Sequence, residues 1–398
     1  RWFFVPVILI ISLLTFFIWV FFGGIDVVSH GLFAALSVLV VACPCAVGLA
    51  TPVALAAGLN KAARNHILIR DTSALEQMRN VDVVVFDKTG TLTEGHPTVI
   101  GWLWAQGQEE HYKDVLLAAE STSDHPLAEA IVTALEGEEQ VIPAHLDGFE
   151  SIAGKGVRVA YQGAEYWVGS HKLLKDYQAN LSDILADMLT QYESDGNSIV
   201  YFGRENDLLA VIAIKDQLRV TSMEAIRELR IQDIEICMLT GDGERTASSV
   251  AGSLGIMRFV ADAMPDDKED FIHKLQLQGK TVAMVGDGVN DAQALSCADV
   301  SIAMGKGTDT LMDTAMITLR TSDLLLLPKV FRLSRQTVSL MYRNLFWAFI
   351  YNTVGIFVAA GVLYPVYDIL LSPALAGAAM ALSCVSVALS SLRLSSRF

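Results

Sequence analysis

Four apolar segments near the two ends of the chain constrain its fold more than any other feature. The segments run from Trp2 to Phe22, Leu32 to Leu59, Leu345 to Leu363 and Ile369 to Leu389. About 20 apolar residues suffice for a helix to cross the roughly 30 Å of hydrocarbon in a bilayer. The residues between Lys61 and Arg343 carry nearly all of the charge. We therefore predict two pairs of transmembrane helices that flank a large soluble middle.

The basic residues predict how these helices are oriented. No Lys or Arg occurs between Trp2 and Asn60, or between Asn344 and Leu392. Basic side chains lie just outside the segments, at Arg1, Lys61, Arg64, Arg70, Arg332, Arg335, Arg343, Arg393 and Arg397. Since Lys and Arg are enriched on the cytoplasmic side of membranes, the soluble middle and both termini are predicted to be cytoplasmic.

Charge and cysteine content exclude several classes of function. The formal net charge of −15 argues against a nucleic-acid partner, because such proteins present a basic face. The five cysteines include no C-x-x-C pair and do not indicate a disulfide framework. The chain begins at Arg1, without methionine or a recognisable cleavable signal peptide, so we expect a fragment of a longer protein.

The soluble middle contains an unusual acidic motif. Asp87-Lys88-Thr89-Gly90-Thr91 directly follows the strand-like run from Val83 to Phe86. Open α/β sheets place their ligands at the carboxyl ends of strands. A carboxylate there, followed by a lysine and hydroxyls, suits a nucleophile that accepts a phosphoryl group as an aspartyl-phosphate.

Three further apolar runs end in Asp, Thr and Gly. Ile234 to Leu239 precedes Thr240-Gly241-Asp242, Thr281 to Val285 precedes the run 286–291, and Val300 to Ala303 precedes the run 304–309. Alternation of such strands with helical patterns predicts a doubly wound parallel sheet with its chemistry at one edge. About 140 residues interrupt the alternation after the first strand. They predict an inserted domain, roughly Pro97 to Ala210.

Phosphoryl transfer requires charge neutralisation around the nucleophile. Asp287, Asp291 and the Thr89 carbonyl are predicted to hold Mg²⁺ with Asp87, since this cation prefers hard oxygen ligands. We expect Thr240 to bond the transferred phosphoryl through its hydroxyl and backbone. Lys268 is expected to offset the developing negative charge.

These motifs resemble, in order and in kind, the phosphorylation domain of P-type ATPases, which belong to the haloacid-dehalogenase-like phosphotransferases. The resemblance implies catalytic roles for Asp87, Lys88, Thr89, Thr240, Asp242, Lys268 and Asn290. It also implies four parts of the chain: two membrane helices in residues 1–60, a phosphorylation domain in 61–96 and 211–335, a nucleotide-binding domain in 97–210, and two membrane helices in 336–398.

The inserted domain resembles the nucleotide-binding domain of heavy-metal P-type ATPases, an α+β domain. That family uses an acidic residue, a His-Pro pair and a Gly-x-Gly around adenine and ribose. The resemblance therefore implies ATP contacts from Glu120, His125, Gly154, Gly156 and Gly169. The Asn that usually follows the last glycine is Ser170 here, so a nucleotide contact at that position stays open.

Cys43-Pro44-Cys45 lies within the second apolar segment. Proline removes a backbone donor and opens a helix, exposing carbonyls beside two thiols. Irregular backbone at this depth is tolerated where it lines a site. Soft sulfur ligands select Cu⁺ and, by extension, Ag⁺. The alternative is a proline kink with two small buried cysteines.

The last two apolar segments also carry polar and sulfur groups. Tyr351 with Asn352, and Met380 with Ser383 and Cys384, resemble the Tyr-Asn pair and Met-x-x-Ser-Ser pattern of copper-exporting ATPases. The departure is Cys384, where the family usually has a second Ser. Its thiol either ligates the metal or fills space, and packing is slightly favoured.

The resemblance covers nearly all of the chain, but the chain lacks the Thr-Gly-Glu tripeptide of the family's actuator domain. It implies the carboxy-terminal portion of an ATP- and Mg²⁺-dependent Cu⁺ exporter, expected in a bacterial inner membrane and supplied by a copper chaperone. Three alternatives stay open: a zinc or cadmium pump, a membrane-anchored phosphatase, and a copper-binding sensor that does not pump.

Overall fold

The structure, a computed structural model, describes residues 4–23, 28–105, 109–123, 125–138, 141–179, 189–193, 195–287, 291–305, 315–367 and 369–396. The chain divides into two compact units. One comprises Arg1–Asn65 with Val330–Phe398, and the other comprises His66–Lys329. We call the first the helical unit and the second, because it contains the predicted phosphorylation motifs, the catalytic unit.

The helices are α1 (Phe4–Gly23), α2 (Val28–Val41), α3 (Cys45–Arg64), α4 (Ser73–Gln77), α5 (Glu109–Glu120), α6 (Pro126–Glu136), α7 (His171–Asp176), α8 (Ser222–Ile231), α9 (Glu244–Leu254), α10 (Pro265–Leu277), α11 (Ala292–Cys297), α12 (Leu326–Ala359), α13 (Tyr364–Tyr367) and α14 (Pro373–Ser396).

The strands are β1 (Ile67–Ile69), β2 (Val83–Asp87), β3 (Thr98–Trp104), β4 (Gly148–Ile152), β5 (Gly156–Tyr161), β6 (Ala164–Gly169), β7 (Ser198–Arg204), β8 (Asp207–Lys215), β9 (Glu235–Leu239), β10 (Arg258–Val260), β11 (Val282–Gly286), β12 (Val300–Met304) and β13 (Ile317–Leu319).

Three helical stretches of the helical unit are long and apolar enough to cross a membrane: Val5–Phe22, Val28–Arg64 and Pro373–Leu394. The second stretch corrects the predicted continuous segment from Leu32 to Leu59. It is two helices, α2 and α3, because the chain leaves helical geometry at Cys43 and Pro44. Proline has no N–H with which to continue the helical ladder from α2.

The predicted third span, Leu345 to Leu363, lies mostly in the 34-residue helix α12. In the part of the chain that the structure describes, α12 does not reach the hydropathy of the other three stretches. Arg343, Asn344, Tyr351 and Asn352 interrupt its apolar sequence. By length and composition, the structure therefore supports three of the four predicted transmembrane helices.

Small side chains and a few buried polar contacts hold the helical unit together. Ala46 and Ala50 of α3 are fully buried and pack with Val387 of α14. The Asn344 amide donates to Ser391 Oγ at 2.9 Å between α12 and α14, where both side chains are buried. Small residues let helix backbones approach closely in an apolar environment.

The catalytic unit contains the predicted doubly wound sheet. Its seven strands are ordered β1-β13-β12-β11-β2-β9-β10, and all neighbours are parallel except β1 and β13. The side chains of β2, β11 and β12 are buried throughout, as expected for strands covered on both faces. The central strand β2 lies between β11 and β9, so their carboxyl ends meet at one edge.

The inserted part forms a six-stranded antiparallel sheet, ordered β3-β8-β7-β6-β5-β4. Its core includes Val168, Phe202 and Ile212 beneath helices α5 and α6. Strand β8 pairs with β3 as far as Thr98 opposite Lys215. The predicted domain limit between residues 210 and 211 therefore falls inside β8, and this sheet continues to Lys215.

Two glycines of the β5–β6 hairpin distinguish the effect of a steric clash from the effect of a positive φ. Gly156 has φ +143°, and a Cβ there would lie 2.1 Å from the Val168 carbonyl oxygen. Gly163, in the turn of the same hairpin, has φ +75° with no atom within 4 Å of such a Cβ. Only Gly156 therefore combines an unfavourable backbone conformation with a steric clash.

We expect Gly156→Ala to lower the apparent unfolding midpoint by about 5 °C or more, and the control Gly163→Ala by about half as much. Differential scanning fluorimetry without nucleotide measures both. Equal midpoints for the two variants would contradict the packing account of Gly156.

Candidate active site

The loop after β2 is shaped by a close approach of Asp287. Gly90 has φ +70°, and a Cβ at this position would lie 1.5 Å from Asp287 Oδ2. The loop therefore requires glycine for both its backbone conformation and its contact with Asp287. Asp87, at the end of β2, is 6% exposed and lies at the same sheet edge as Asp287, which follows β11.

Three carboxylates and one ammonium group form the centre of the site. Asp87, Asp287 and Asp291 can each offer an oxygen, and these atoms lie within 4.8 Å of one another. Lys268 Nζ lies 2.6 Å from Asp87 Oδ1 and 2.7 Å from Asp291 Oδ1. The structure thus brings together the predicted nucleophile, both predicted carboxylate ligands of Mg²⁺ and the predicted charge-neutralising lysine.

Burial and charge shift the pKa values in this cluster. Burial alone lowers the pKa of Lys268, but Asp87 and Asp291 outweigh it and raise that pKa. Burial, together with the charges of Asp87 and Asp291, raises the pKa of Asp287 to about 7. A nearby cation would favour the ionised form of this carboxylate and so offset the cost of ionising it.

The carboxylate oxygens fit Mg²⁺, which takes hard oxygen ligands. Asp87, Asp287 and Asp291 would hold it, and the bound cation would supply charge neutralisation for phosphate oxygens. Thr89 is half-buried in the same loop, with φ −74° and ψ 129°. Asn290 lies outside the described residues.

Lys88 takes part in a second buried ion pair. Its ammonium group contacts the Asp242 carboxylate and donates to Ser198 Oγ at 3.2 Å. Ser198 Oγ in turn donates to Asp242 Oδ1 at 2.8 Å. Burial opposes ionisation of Asp242, but Lys88, Ser198 and Thr240 together lower its pKa. Through Ser198, the ion pair connects the seven-stranded sheet to strand β7 of the six-stranded sheet.

The structure corrects one expected role of Thr240. Its backbone N–H donates to the Val260 carbonyl at 3.0 Å, so this group is committed between the ends of β9 and β10. Its hydroxyl is 3.1 Å from Asp242 Oδ2, to which it donates, and accepts from the Asp242 N–H at 3.1 Å. The hydroxyl, not the backbone N–H, is the group of Thr240 that can reorient towards a ligand.

Two residues that sequence reasoning missed hold the loop in place. Arg219 is 9% exposed; it donates from Nε to the Thr91 carbonyl at 3.0 Å and also contacts the Gly90 carbonyl. Asp216 accepts from Thr93 Oγ1 at 2.5 Å and from the Gly95 N–H at 3.1 Å. Their spacing Asp-x-x-Arg after a long apolar strand is the one sequence signal that could have drawn attention to them.

Glu120 and His125 lie on neighbouring helices of the inserted part. Glu120 ends α5, is 6% exposed, and its burial raises the pKa of its carboxyl group to about 7. His125 caps α6, where its Nδ1 accepts from the Leu127 N–H at 3.2 Å. Burial lowers the pKa of the His125 ring; the charge of Asp242 raises this pKa and that of Lys88 lowers it. His125 therefore lies near the second ion pair of the site.

The three predicted glycine contacts have structural causes of their own. Gly156 and Gly169 are opposed on β5 and β6, and a Cβ on Gly169 would lie 2.1 Å from the Lys155 carbonyl oxygen. Gly154 has φ +64°, and a Cβ there would lie 2.2 Å from Met264 Cε. Beside them, the buried Ser170 hydroxyl has no hydrogen-bond partner among the described residues.

The helical unit brings three thiols together. The Cys45 side chain hydrogen-bonds with Cys43 and interacts electrostatically with Cys384. Cys384 also packs against the Ala46 cluster of α3. Cys43 and Cys45 are exposed, and Cys384 is half-buried. Cys384 therefore lies near Cys43 and Cys45, although the three sulfur atoms do not all lie within 4.8 Å of one another.

Three polar atoms in the same unit are buried without a partner in the described chain: His30 Nδ1, Asn352 Oδ1 and Ser383 Oγ. Met380, one helical turn before Ser383, is 9% exposed. Tyr351 differs, because it is 49% exposed and lies against the Trp347 ring. Buried polar atoms without partners are rare in proteins and often mark a ligand site.

The raised pKa of Asp287 predicts a pH-dependent stability. A folded-state pKa near 7, above the ordinary 3.8, means that ionising Asp287 costs folding free energy. The cost is absent below about pH 4, grows between pH 4 and 7, and is complete above pH 7. Asp287→Asn should therefore raise the unfolding midpoint of the metal-free protein at pH 8 by a few degrees, and much less at pH 5.

Thermal unfolding in EDTA at the two pH values measures this difference. Added Mg²⁺ should raise the midpoint of the wild-type protein at pH 8 more than that of Asp287→Asn. An equal gain at both pH values would contradict the assigned cost of ionisation.

Comparison with known proteins identifies the chain's relatives. A copper-exporting P-type ATPase of Legionella pneumophila is 43% identical over 391 residues, 98% of this chain and 53% of the relative. A silver-exporting P-type ATPase of Salmonella typhimurium is 44% identical over 396 residues, 99% of this chain and 48% of the relative. The chain spans about half the length of these curated relatives, and the matched half is carboxy-terminal.

Among solved structures, a zinc-transporting PIB-type ATPase in the E2.Pi state is similar, with a TM-score of 0.70 and 32% identity. The match covers 98% of this chain and 62% of that one. The predicted resemblance to P-type ATPases is therefore confirmed. A family profile for haloacid dehalogenase-like hydrolases matches residues 81–299, which is more than half of the chain. The chain belongs to the haloacid dehalogenase-like hydrolase family.

Proposed function

We propose that the protein exports Cu⁺, and also Ag⁺, across a membrane by ATP hydrolysis through an aspartyl-phosphate. The observation that carries this proposal is the buried cluster of Asp87, Lys268, Asp287 and Asp291. The same chain contains apolar helices and a pair of interacting thiols, Cys43 and Cys45. The chain's relatives named as copper- and silver-exporting ATPases support the same cargo.

Asp87 is the proposed nucleophile. Its carboxylate oxygen attacks the γ-phosphorus of ATP, a bond forms between this oxygen and phosphorus, and the bond to the ADP leaving oxygen breaks. Lys268 lies 2.6 Å from Asp87 Oδ1 and stays protonated, because two carboxylates raise its pKa. Its charge is positioned to offset negative charge on the transferred group.

The loop geometry supports this attack. Arg219 and Asp216 hold the loop around Gly90 and Gly95 through five contacts from side chain to loop, which fixes the path of the chain directly after Asp87. Pre-positioning of a nucleophile contributes to catalysis because the orientation is fixed before the reaction. The Thr240 hydroxyl, which donates a hydrogen bond to Asp242, is proposed to donate to a phosphoryl oxygen instead.

ATP is proposed to bind the inserted part, near Glu120, His125, Gly154, Gly156 and Gly169. With a pKa near 7, the Glu120 carboxyl is partly protonated at neutral pH and can then donate as well as accept. The glycines present backbone without side chains at the β5–β6 edge, which suits the close approach of a ligand. The buried free hydroxyl of Ser170 offers a further contact in place of the family's Asn.

The cargo site is proposed in the helical unit. Cys43, Cys45 and Cys384 provide soft sulfur, and Met380 provides a thioether. Asn352 and Ser383 supply oxygens that have no other partner among the described residues. Thiolate and thioether ligands favour Cu⁺ and Ag⁺. Tyr351 stays a weaker candidate, because half of its side chain is exposed.

A zinc or cadmium pump is the second candidate, supported by the similarity to the zinc-transporting structure. The sulfur groups of Cys43, Cys45, Cys384 and Met380 favour monovalent copper over it. A membrane-anchored phosphatase and a copper sensor that does not pump remain alternatives, distinguished by turnover of phosphate esters and by Cu⁺ binding without ATPase activity. We further propose a bacterial inner membrane, a cytoplasmic catalytic unit and copper delivery by a chaperone.

Replacing the nucleophile tests the phosphorylation step. Asp87→Asn should abolish acid-stable ³²P labelling from [γ-³²P]ATP in membranes that contain the intact protein, because an amide cannot form the acyl phosphate. Asp233→Asn is the matched control, since Asp233 is exposed and has φ +60°, which Asn tolerates. Undiminished labelling of the Asp87 variant would contradict the assignment of Asp87 as the nucleophile.

Two serines of α14 test the cargo site. Ser383 Oγ is buried without a described partner, whereas Ser386 Oγ donates to the Ser383 carbonyl at 2.8 Å. ATPase activity of the intact protein should be stimulated by Cu⁺ and Ag⁺ more than by Zn²⁺ or Cd²⁺. Ser383→Ala should weaken this stimulation several-fold, and Ser386→Ala should not. Equal stimulation by Zn²⁺ would favour the zinc alternative.

A further inference from the structure

A second cluster of metal-ligating side chains lies on the catalytic unit, outside the proposed active site. Glu269 and His273 are four residues apart on α10 and therefore share one helical face. Cys297 is the last residue of the neighbouring helix α11. Their ligand atoms lie within 4.8 Å of one another. Glu269 Oε1 is 3.5 Å from His273 Nε2 and 3.4 Å from Cys297 Sγ.

The surrounding hydrogen bonds aim the histidine at this cluster. Gln276 Nε2 donates to the Cys297 carbonyl at 2.8 Å and to Asp299 Oδ2 at 3.3 Å. These two acceptors fix which end of the Gln276 amide is the nitrogen. The atom that lies 3.2 Å from His273 Nδ1 is therefore the oxygen, Gln276 Oε1. An oxygen there requires a proton on Nδ1. In the neutral ring the Nε2 lone pair then faces Glu269 and Cys297.

This is the arrangement found around metal-bound histidines. Such a histidine donates its second ring N–H to a neighbouring acceptor, which fixes the tautomer and the ring orientation. Here the acceptor, Gln276, is itself anchored to the backbone of the residue that supplies the thiol. The anchoring makes Gln276 an orienting group for two of the three ligands at once.

We propose that Glu269, His273 and Cys297 bind a borderline transition-metal cation, of which Zn²⁺ is the simplest probe. Carboxylate, imidazole and thiolate are the ligand types that this ion takes. Binding converts the Cys297 thiol to a thiolate bonded to the cation and releases its proton to water. Glu269, His273 and Cys297 remain partly accessible, which leaves a coordination position for water.

The site has a direct structural link to the catalytic cluster. Glu269 follows Lys268 in sequence, and α11 begins immediately after Asp291. Lys268 and Asp291 form the 2.7 Å ion pair described above. A cation at this site would therefore tie together the two helices that position that pair. The proposal stands independently of the transported ion.

Protection of Cys297 from alkylation tests the site in the intact protein. N-ethylmaleimide reacts with free thiols, and mass spectrometry of the peptide that contains Cys297 reports this residue separately from the other cysteines. We expect micromolar Zn²⁺ to slow alkylation of Cys297 at least tenfold, and Mg²⁺ at the same concentration to have no effect.

Substitutions separate coordination from general effects of zinc. His273→Ala and Glu269→Gln should each lose most of the protection. Asp270→Asn should keep it, because Asp270 is an exposed carboxylate on the same helix outside the cluster. Unfolding midpoints measured without metal verify that each variant is folded. If His273→Ala does not fold, the isosteric variant Glu269→Gln alone tests the loss of protection. Unprotected wild-type Cys297, or equal protection in all variants, would overturn the proposal.

Discussion

The structure of the catalytic unit depends on the ammonium group of Lys268, held between Asp87 and Asp291. Three carboxylates at one sheet edge repel one another, and burial weakens the solvation that would relieve this repulsion. Lys268, itself 7% exposed, contacts two of them at 2.6 and 2.7 Å. The third, Asp287, keeps a pKa raised to about 7 and is the group with most to gain from a divalent cation.

The loop after β2 must be held firmly because it positions these charged groups relative to one another. Asp287 approaches Gly90 too closely for any other residue, and Arg219 and Asp216 also hold the loop through hydrogen bonds. Lys88, which follows the central carboxylate, is held by Asp242 and Ser198. Lys88 and Lys268 thus have separate partners: Lys88 contacts Asp242 and Ser198, whereas Lys268 contacts Asp87 and Asp291.

The sequence predicted four of the parallel strands, β2, β9, β11 and β12, to within one residue at each end, because buried strands appear as short apolar runs that end in polar motifs. It did not predict β10 or β13, which are only three residues long. Val83 to Phe86 and Val300 to Ala303 are each one residue shorter than the observed strands. Partners far apart in sequence were not predictable. Arg219 meets Thr91 across 128 residues and Ser198 meets Lys88 across 110, and no periodicity signals such contacts.

The differences in the rest of the chain also have physical causes. Pro44 was expected to open the helix, but the apolar run from Leu32 to Leu59 did not indicate that it contains two separate helices, α2 and α3. The end of the inserted sheet was placed too early, because the apolar strand β8 gives no sequence signal of which sheet it joins. The glycines at 154, 156 and 169 were predicted from ligand binding, yet the close backbone and side-chain contacts of the fold already require them.

The central claim is that Asp87 receives the γ-phosphate of ATP in response to the transported metal. Reductive trapping of the acyl phosphate with borohydride, followed by mass spectrometry of the peptide that contains residue 87, tests it most directly. The account predicts conversion of Asp87 to homoserine that requires ATP and Mg²⁺ and increases with Cu⁺. Conversion at another carboxylate, or none at Asp87 while ATP is hydrolysed, would contradict it.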